Sequence, residues 1–207
     1  MSIGLIIASI VPLIVAPLIT INLNSLLFQT LELEAKMRII ASTDYLTQLL
    51  NRREWIEQST RYINLATRNN SSFAVLMLDL DNFKAVNDSY GHVAGDKALV
   101  LFGEIIQTVS RSSDISGRFG GEEFIILLPD TSAEQAVQFT ERLHHHTRSL
   151  NIEHGKNILT LTTSIGVSIN VPDKPFDLDT LISHADKALY QAKHQGKNCT
   201  VVFQQTT

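Results

Sequence analysis

Two short stretches of this chain carry residue types at spacings that could do chemistry. The first is Leu78-Asp79-Leu80-Asp81, at the end of an otherwise apolar run. Side chains alternate along a strand, so Asp79 and Asp81 leave the same face. Ionised carboxylates beside a core are costly unless they are paired or hold a cation. Their hard oxygens suit Mg²⁺, which takes one or two carboxylates together with substrate phosphates; a pair of solvated strand-end acids is the plainer alternative. The second stretch is Gly120-Gly121-Glu122-Glu123-Phe124. Two glycines permit a turn that β-carbons would forbid and let a phosphate or ribose approach the backbone. If the hairpin they close lies beside the Phe73–Asp81 strand, Glu122 can meet Asp79 around a shared cation. An ordinary Gly-Gly hairpin with charged flanks is the alternative here.

The elements that must position these acids alternate between strand and helix patterns from Asp44 onward. Arg52 to Asn69 is expected to be a helix that ends in an Asn-Asn-Ser-Ser loop. The Phe73–Asp81 strand is followed by a broken helical region and a helix from Ala94 to Val109. Ile115 to Phe119 and Glu122 to Leu128 flank the two glycines as hairpin strands. Then come a helix over Ala133–Leu150, a Thr- and Ile-rich strand over Leu159–Asn170, a helix over Leu178–His194 and a closing strand over Asn198–Phe203. Strands with helices between them predict an α/β chain. It would be an α+β sandwich on one central, mainly antiparallel sheet with a ferredoxin-like core.

Charge is unevenly spread over the 207 residues, and the formal net charge of −4 argues against nucleic-acid binding through a broad basic face. Cys199 is the sole cysteine, which excludes an internal disulfide and fits a reducing compartment. No Asp, Glu, Lys, Arg or His occurs from Met1 to Leu31. Ile3 to Ile21 is almost wholly apolar, and as a helix would reach ~28 Å, close to the ~30 Å hydrocarbon core of a bilayer. Residues 1–28 are therefore expected to be a transmembrane helix, with a signal peptide or a buried core helix as rivals. Lys36 and Arg38 on its C-terminal side would place the rest in the cytoplasm, as a single-pass protein of the inner membrane. Residues 29–43 are a helical linker. Leu23, Leu26, Thr30, Leu33, Met37 and Ile40 recur every 3.5 residues, as in a coiled-coil stalk. An amphipathic helix lying on its own domain fits the pattern equally well.

From Asp44 to Phe203 the chain resembles the GGDEF-domain diguanylate cyclases, here in a Gly-Gly-Glu-Glu-Phe version. The resemblance rests on five elements in order: Asp44-Tyr45-Leu46-Thr47-Gln48-Leu49-Leu50-Asn51-Arg52-Arg53; Asp79-Leu80-Asp81-Asn82-Phe83-Lys84; Asn87-Asp88-Ser89-Tyr90-Gly91-His92-Val93-Ala94-Gly95-Asp96; Arg118-Phe119 with the signature turn; and Ala185-Asp186-Lys187-Ala188-Leu189-Tyr190 with Gly196-Lys197-Asn198. It makes residues 44–207 a GGDEF domain with a nucleotidyl-cyclase palm core. The activity implied is condensation of two GTP into cyclic di-GMP with release of pyrophosphate.

The same resemblance implies roles for single residues. Asp79, the Leu80 carbonyl and Glu122 would hold Mg²⁺ or Mn²⁺, with Glu122 also a catalytic proton acceptor. Asn87 and Asp96 would read the guanine edge, and His92 belongs to the same segment unless it merely packs at a helix start. Phe83, Gly120, Gly121 and Glu123 would complete the substrate site. Lys84, Lys193 and Lys197 would contact the triphosphate, Lys197 as a point charge where many relatives have Arg. Gln48 stands where the family usually has glycine. One GTP per domain requires two domains face to face, hence a homodimer. Arg111 and Asp114, with five residues between Asp114 and Gly120, match the family's inhibitory product site, with Arg142 as a further contact from a partner domain. The run His144-His145-His146 cannot converge on one ion, since successive helical residues point ~100° apart. Two other functions compete with the cyclase: a catalytically inactive module that binds GTP or cyclic di-GMP, and another nucleotidyl cyclase or polymerase palm.

Overall fold

A computed structural model of the chain describes residues 17–32, 42–150, 152–154, 157–170 and 177–204. The chain divides into two compact units, residues 1–41 and 42–207. In the first, residues 17–32 form helix α1. Leu23, Leu26 and Thr30 of the heptad pattern fall on it, with Thr30 Oγ1 donating to the Leu26 carbonyl over 2.8 Å. Leu33, Met37 and Ile40 lie outside the described residues, as does most of the expected span. Among the described residues no helix is long and apolar enough to cross a membrane. Within the described part, Asn22, Asn24 and Gln29 interrupt the apolar surface of the helix. The expected transmembrane helix over 1–28, with its inner-membrane, single-pass placement, is corrected accordingly.

The second unit runs β1 (Leu50–Asn51), α2 (Arg52–Asn69), β2 (Phe73–Leu80), α3 (Phe83–Tyr90), α4 (His92–Val109), β3 (Ile115–Arg118), β4 (Glu123–Leu128), α5 (Ala133–Arg148), β5 (Ile152–His154), β6 (Asn157–Leu159), β7 (Thr163–Asn170), α6 (Leu178–His194) and β8 (Thr200–Val202). Six strands form one sheet in the order β1-β3-β4-β2-β7-β8. The outer pairs β1–β3 and β7–β8 are parallel and the inner pairs antiparallel, so the sheet is mixed. Its four central strands follow β-α-β-β-α-β connectivity, the ferredoxin-like pattern. Helix starts are fixed by side-chain caps: Asn51 accepts from Glu54 N, Ser132 and Gln135 form a capping box, and Asp177 accepts from Thr180 N. The broken helix is α3 and α4 meeting at Gly91, whose φ of +80° interrupts the helical ladder. The single strand expected over Leu159–Asn170 is two, because Leu159 belongs to the separate β5–β6 hairpin and β7 starts at Thr163.

Strand β2 is buried along its whole length. It lies at the sheet centre with helices on both faces, so its sequence is continuously apolar rather than alternating. Leu76, Leu78 and Leu80 pack with Phe102, Phe124 and Leu143 on the α4–α5 side. Phe73, Val75 and Met77 pack with Trp55, Leu181 and Leu189 on the α2–α6 side. Trp55, Phe73, Phe102 and Phe124 are fully buried, each contributing ~1.5–3 kcal/mol. The odd-numbered parity carries Asp79 towards α6. That helix lies tight on β7, where a Cβ on Gly166 would collide with the backbone at Ala185 and Leu189. Gly166→Ala is therefore expected to cost about 3 kcal/mol, because neither backbone can yield locally, read as a lowered urea midpoint with the m-value unchanged.

Candidate active site

Asp79, the last odd position of β2, pairs in register with Glu123 of β4 on one side and Ser164 of β7 on the other. Its carboxylate is buried, and Lys193 Nζ from α6 lies 2.8 Å from Oδ2. Burial pushes its pKa up, Lys193 pulls it back, Asp81 adds repulsion, and the sum stays above the ordinary carboxylate value. Glu122 belongs to the turn before β4 rather than to the strand itself. Its carbonyl accepts from Leu80 N over 3.3 Å, tying the turn to the end of β2. The Glu122 carboxyl is likewise raised, first by burial and then by the negative charges of Asp79 and Glu123, against the pull of Lys193. Two acids that repel each other beside a carbonyl-rich strand end are a donor set of hard oxygens, which fits a divalent cation with phosphate ligands.

The surrounding cleft has a volume of about 450 Å³ and is lined by Asp79, Leu80, Phe83, Lys84, Glu122, Lys193 and Lys197 of the expected residues, with Asp81, Asn82, Ala85 and Asp88 besides. Asn87, His92 and Asp96 do not line it. They lie farther along α3 and at the start of α4, His92 and Asp96 exposed and Asn87 held against Gly95, where no β-carbon would fit. Gly120 and Gly121 form the neighbouring turn, and Glu123 accepts there through its carbonyl from Phe119 N and Gly120 N. Neither glycine has a positive φ. The turn does not need glycine for its backbone angles, contrary to the expectation above. A Cβ on Gly120 would stand 2.7 Å from Glu123 Oε2, whereas one on Gly121 would meet nothing within 4 Å and extend into open space.

Arg118 holds this turn. Its Nε and Nη2 donate to the Gly121 carbonyl at 3.1 and 2.7 Å, and its Nη1 reaches both Asp44 oxygens at 3.1 and 3.2 Å. Burial works against the Asp44 charge, but hydrogen bonds from Thr47 N and Oγ1 and from Arg118 outweigh it and hold the carboxyl below its usual range. Gln48 keeps the left-handed conformation expected of the glycine it replaces, at φ 58°, and costs about 1 kcal/mol in doing so. Asp81 lines the same cleft as Asp79 but differs from it in its partners. It accepts from Ser164 Oγ at 2.6 Å, Thr162 Oγ1 at 2.8 Å and Asn198 N at 2.9 Å. The Arg118 clamp and this use of Asp81 were not anticipated. A hydroxyl pair at Thr162 and Ser164, both at the start of β7, was the available signal for Asp81.

A second cleft, of about 480 Å³, joins Gln48, Gln58 and Gln107 to Arg111, Asp114 and Ser116. Arg111 N donates to Asp114 Oδ2 over 2.7 Å and Asp114 N to the Arg111 carbonyl over 3.0 Å, so the two residues close a tight turn rather than a helix-end ion pair. Arg142 of α5 lines a small depression together with Arg111 and Asp114 of its own domain. Among the three histidines, His144 is buried with Nε2 2.9 Å from Thr200 Oγ1, while His145 and His146 are exposed. Among the described residues no three His, Cys, Asp or Glu side chains cluster as a metal site on their own.

A family model described as "Diguanylate cyclase, GGDEF domain" matches residues 41–199. The chain is 37% identical over 166 residues to the response regulator PleD of Caulobacter vibrioides, covering 78% of this chain and 36% of that protein. It is 34% identical over 171 residues to the probable diguanylate cyclase DgcC of Escherichia coli K12, covering 83% of this chain and 46% of that one. The chain thus spans between a third and a half of the length of these relatives. Among solved structures, the GGDEF domain of DgcB from Caulobacter crescentus in complex with c-di-GMP superposes with a TM-score of 0.75 at 27% identity, over 80% of this chain and 97% of that one.

The raised Glu122 carboxyl has a consequence for stability. Its charged form is penalised in the fold, a penalty present above the folded pKa and relieved as falling pH protonates the group. Glu122→Gln is expected to raise the melting temperature of the metal-free protein at neutral pH, by about 0.5 kcal/mol in stability, and the gain should shrink towards acid pH. Calorimetry across that range checks it; a loss at neutral pH would mean that the glutamate is held, not strained.

Proposed function

The chain belongs to the GGDEF domain family of diguanylate cyclases, and on that premise we propose that it condenses two GTP molecules into cyclic di-GMP and two pyrophosphates. The observation that carries this reading is the raised, mutually repelling pair Asp79 and Glu122 facing Lys193 and Lys197 across one cleft. Asp79, the Leu80 carbonyl and Glu122 would hold Mg²⁺ or Mn²⁺. A divalent cation in such a place supplies charge stabilisation to the phosphate oxygens and to the attacking hydroxyl. Lys84, Lys193 and Lys197 would bind the triphosphate, and Lys193 would exchange its present partner Asp79 for a phosphate oxygen. Phe83, buried beneath the cleft, fixes the wall that Lys84 extends. Gly120 and Gly121 leave backbone accessible to the ribose and phosphates, and Glu123 buttresses the turn.

Guanine would be read by Asn87 and Asp96, whose carboxylate can accept from two guanine N–H groups that adenine does not present; His92 borders that pocket. In each half-reaction the 3′-hydroxyl of one GTP attacks the α-phosphorus of the other. The new O–P bond forms as the bond to pyrophosphate breaks, and the hydroxyl proton passes to Glu122. Most of the rate enhancement is positional. Because each cleft holds one nucleotide, two domains must meet as a homodimer. Arg111 and Asp114, with Arg142 beside them in the same domain, are proposed to bind product and restrain turnover; an Arg fork matches guanine O6 and N7.

Purified protein given GTP and Mg²⁺ is expected to release cyclic di-GMP, and Glu122→Ala to lower the rate by at least about 10²-fold, as for loss of a group acting in the transition state. GTP bound without turnover in the unaltered protein would favour the binding module instead. Added cyclic di-GMP is expected to slow the reaction, and Arg111→Ala to weaken that inhibition about tenfold or more while catalysis persists. Unaltered inhibition in this variant would remove Arg111 from the product site.

A further inference from the structure

Asp81 is 5% exposed, yet no cation contacts it among the described residues. Its charge is met by three neutral donors that come from two distant parts of the chain. Oδ1 is taken by Ser164 Oγ, and Oδ2 by Thr162 Oγ1 and Asn198 N. Its own N donates to the Thr162 carbonyl over 2.9 Å. One carboxylate therefore fastens the exit of β2 both to the start of β7 and to the turn between α6 and β8. That turn is conformationally awkward. Gly196, Lys197 and Asn198 have φ values of 113°, 65° and 47°, two successive left-handed residues with β-carbons after a glycine. L-residues leave such angles unless something outside the turn fixes them. Here the fixing contacts are Asp81 to Asn198 N, and Lys197 N to the Ala192 carbonyl over 3.1 Å. As a result Lys197 Nζ is delivered to the cleft, where it donates to Asn82 Oδ1 over 2.6 Å. Asn82 itself has φ 57° and is the residue next to Asp81.

We propose that Asp81 is a positioning residue for the phosphate-binding side of the cleft, acting through the Gly196–Asn198 turn to present Lys197, and that it is not a ligand of the divalent cation. This rests on the nucleotide-binding reading of the cleft given above. Three donors already occupy the two oxygens of Asp81, Oδ2 taking both Thr162 Oγ1 and Asn198 N, so a cation drawn to Oδ2 would compete directly with the bond that holds the turn. Asn is a tolerable replacement on this account. Its amide oxygen can still accept from Asn198 N while its NH₂ donates to Ser164 Oγ, whose hydroxyl can rotate. A cation ligand tolerates that exchange poorly.

The test is calorimetric titration with Mn²⁺ and 3′-deoxy-GTP, which lacks the attacking hydroxyl and cannot react, together with electron paramagnetic resonance to count bound Mn²⁺. Asp81→Ala and Lys197→Ala are each expected to weaken 3′-deoxy-GTP about tenfold, the order of one lost charge-assisted contact. The double variant should bind no more weakly than Lys197→Ala alone, because the first residue works through the second. Asp81→Asn should bind within about twofold of the unaltered protein, and bound Mn²⁺ should be unchanged in it. Additive losses in the double variant, or loss of Mn²⁺ in Asp81→Asn, overturns the assignment. If Asp81→Ala does not fold, Thr162→Val with Ser164→Ala takes its place in the same cycle with the same expectation. Failure of the unaltered protein to bind 3′-deoxy-GTP would bring down the nucleotide reading itself. Binding with independent effects of Asp81 and Lys197 would bring down only the role of Asp81.

Discussion

The constraint on which the rest of this structure depends is the placing of two carboxylates at the closed end of a wholly buried strand. Charge there is expensive, because the strand is buried on both faces and only the cleft at its end admits water. The two acids meet that cost in opposite ways. Asp81 collects three hydrogen bonds and becomes part of the scaffold. Asp79 is left with one lysine and a net upward shift, so its charge stays incompletely compensated. An anion poised in this way is one that gains most from a cation. The neighbouring strands follow from the same requirement. The glycine turn at the mouth of the β3–β4 hairpin brings Glu122 to the same end of β2, its carbonyl accepting from Leu80 N.

The turn in its turn is held from outside the sheet. Arg118 spans the Gly121 carbonyl and Asp44, so the first residues of the domain and the signature turn are one hydrogen-bonded piece. Gln48 in a left-handed conformation shows that this entrance geometry is kept even at a local cost, since a residue free to relax would abandon φ 58°. A similar economy of form governs the α6–β8 turn, where three consecutive positive φ values are tolerated in order to aim one lysine.

Much of the fold was legible because its signals are local and periodic. The continuous apolar run of β2 and the capped helices α2 and α6 were readable nearly to the residue. The break at Leu159–Thr163 was not, because the Thr-rich sequence is equally good as one strand or two. Only the contacts of Thr162 with Asp81 and of Leu159 with Ile152 decide between them. Spacing was enough to expect Asp79 and Glu122 at one cleft, but not the unlike fates of Asp79 and Asp81. Alternation puts both on one face, and what separates them is the set of donors that residues 80 or more positions downstream happen to bring. The glycine turn was located correctly for the wrong reason, since neither glycine adopts a positive φ. The apolar N-terminal stretch illustrates the opposite limit: composition alone suggested a span, whereas among the described residues no helix is long and apolar enough to cross a membrane.

The partners of Asp81 lie 81, 83 and 117 positions away along the chain. A ribosome releases the strand carrying the two acids long before it releases Ser164 or Asn198. During synthesis that strand can pair only with the β3–β4 hairpin, leaving its other edge and one buried charge without their mates. The cleft beside Asp79 and Asp81 is consequently the last part of the domain to be completed. A nascent or C-terminally truncated chain could have most of its core in place and still possess no binding site, so that competence for ligand arrives with the final strand rather than growing with length.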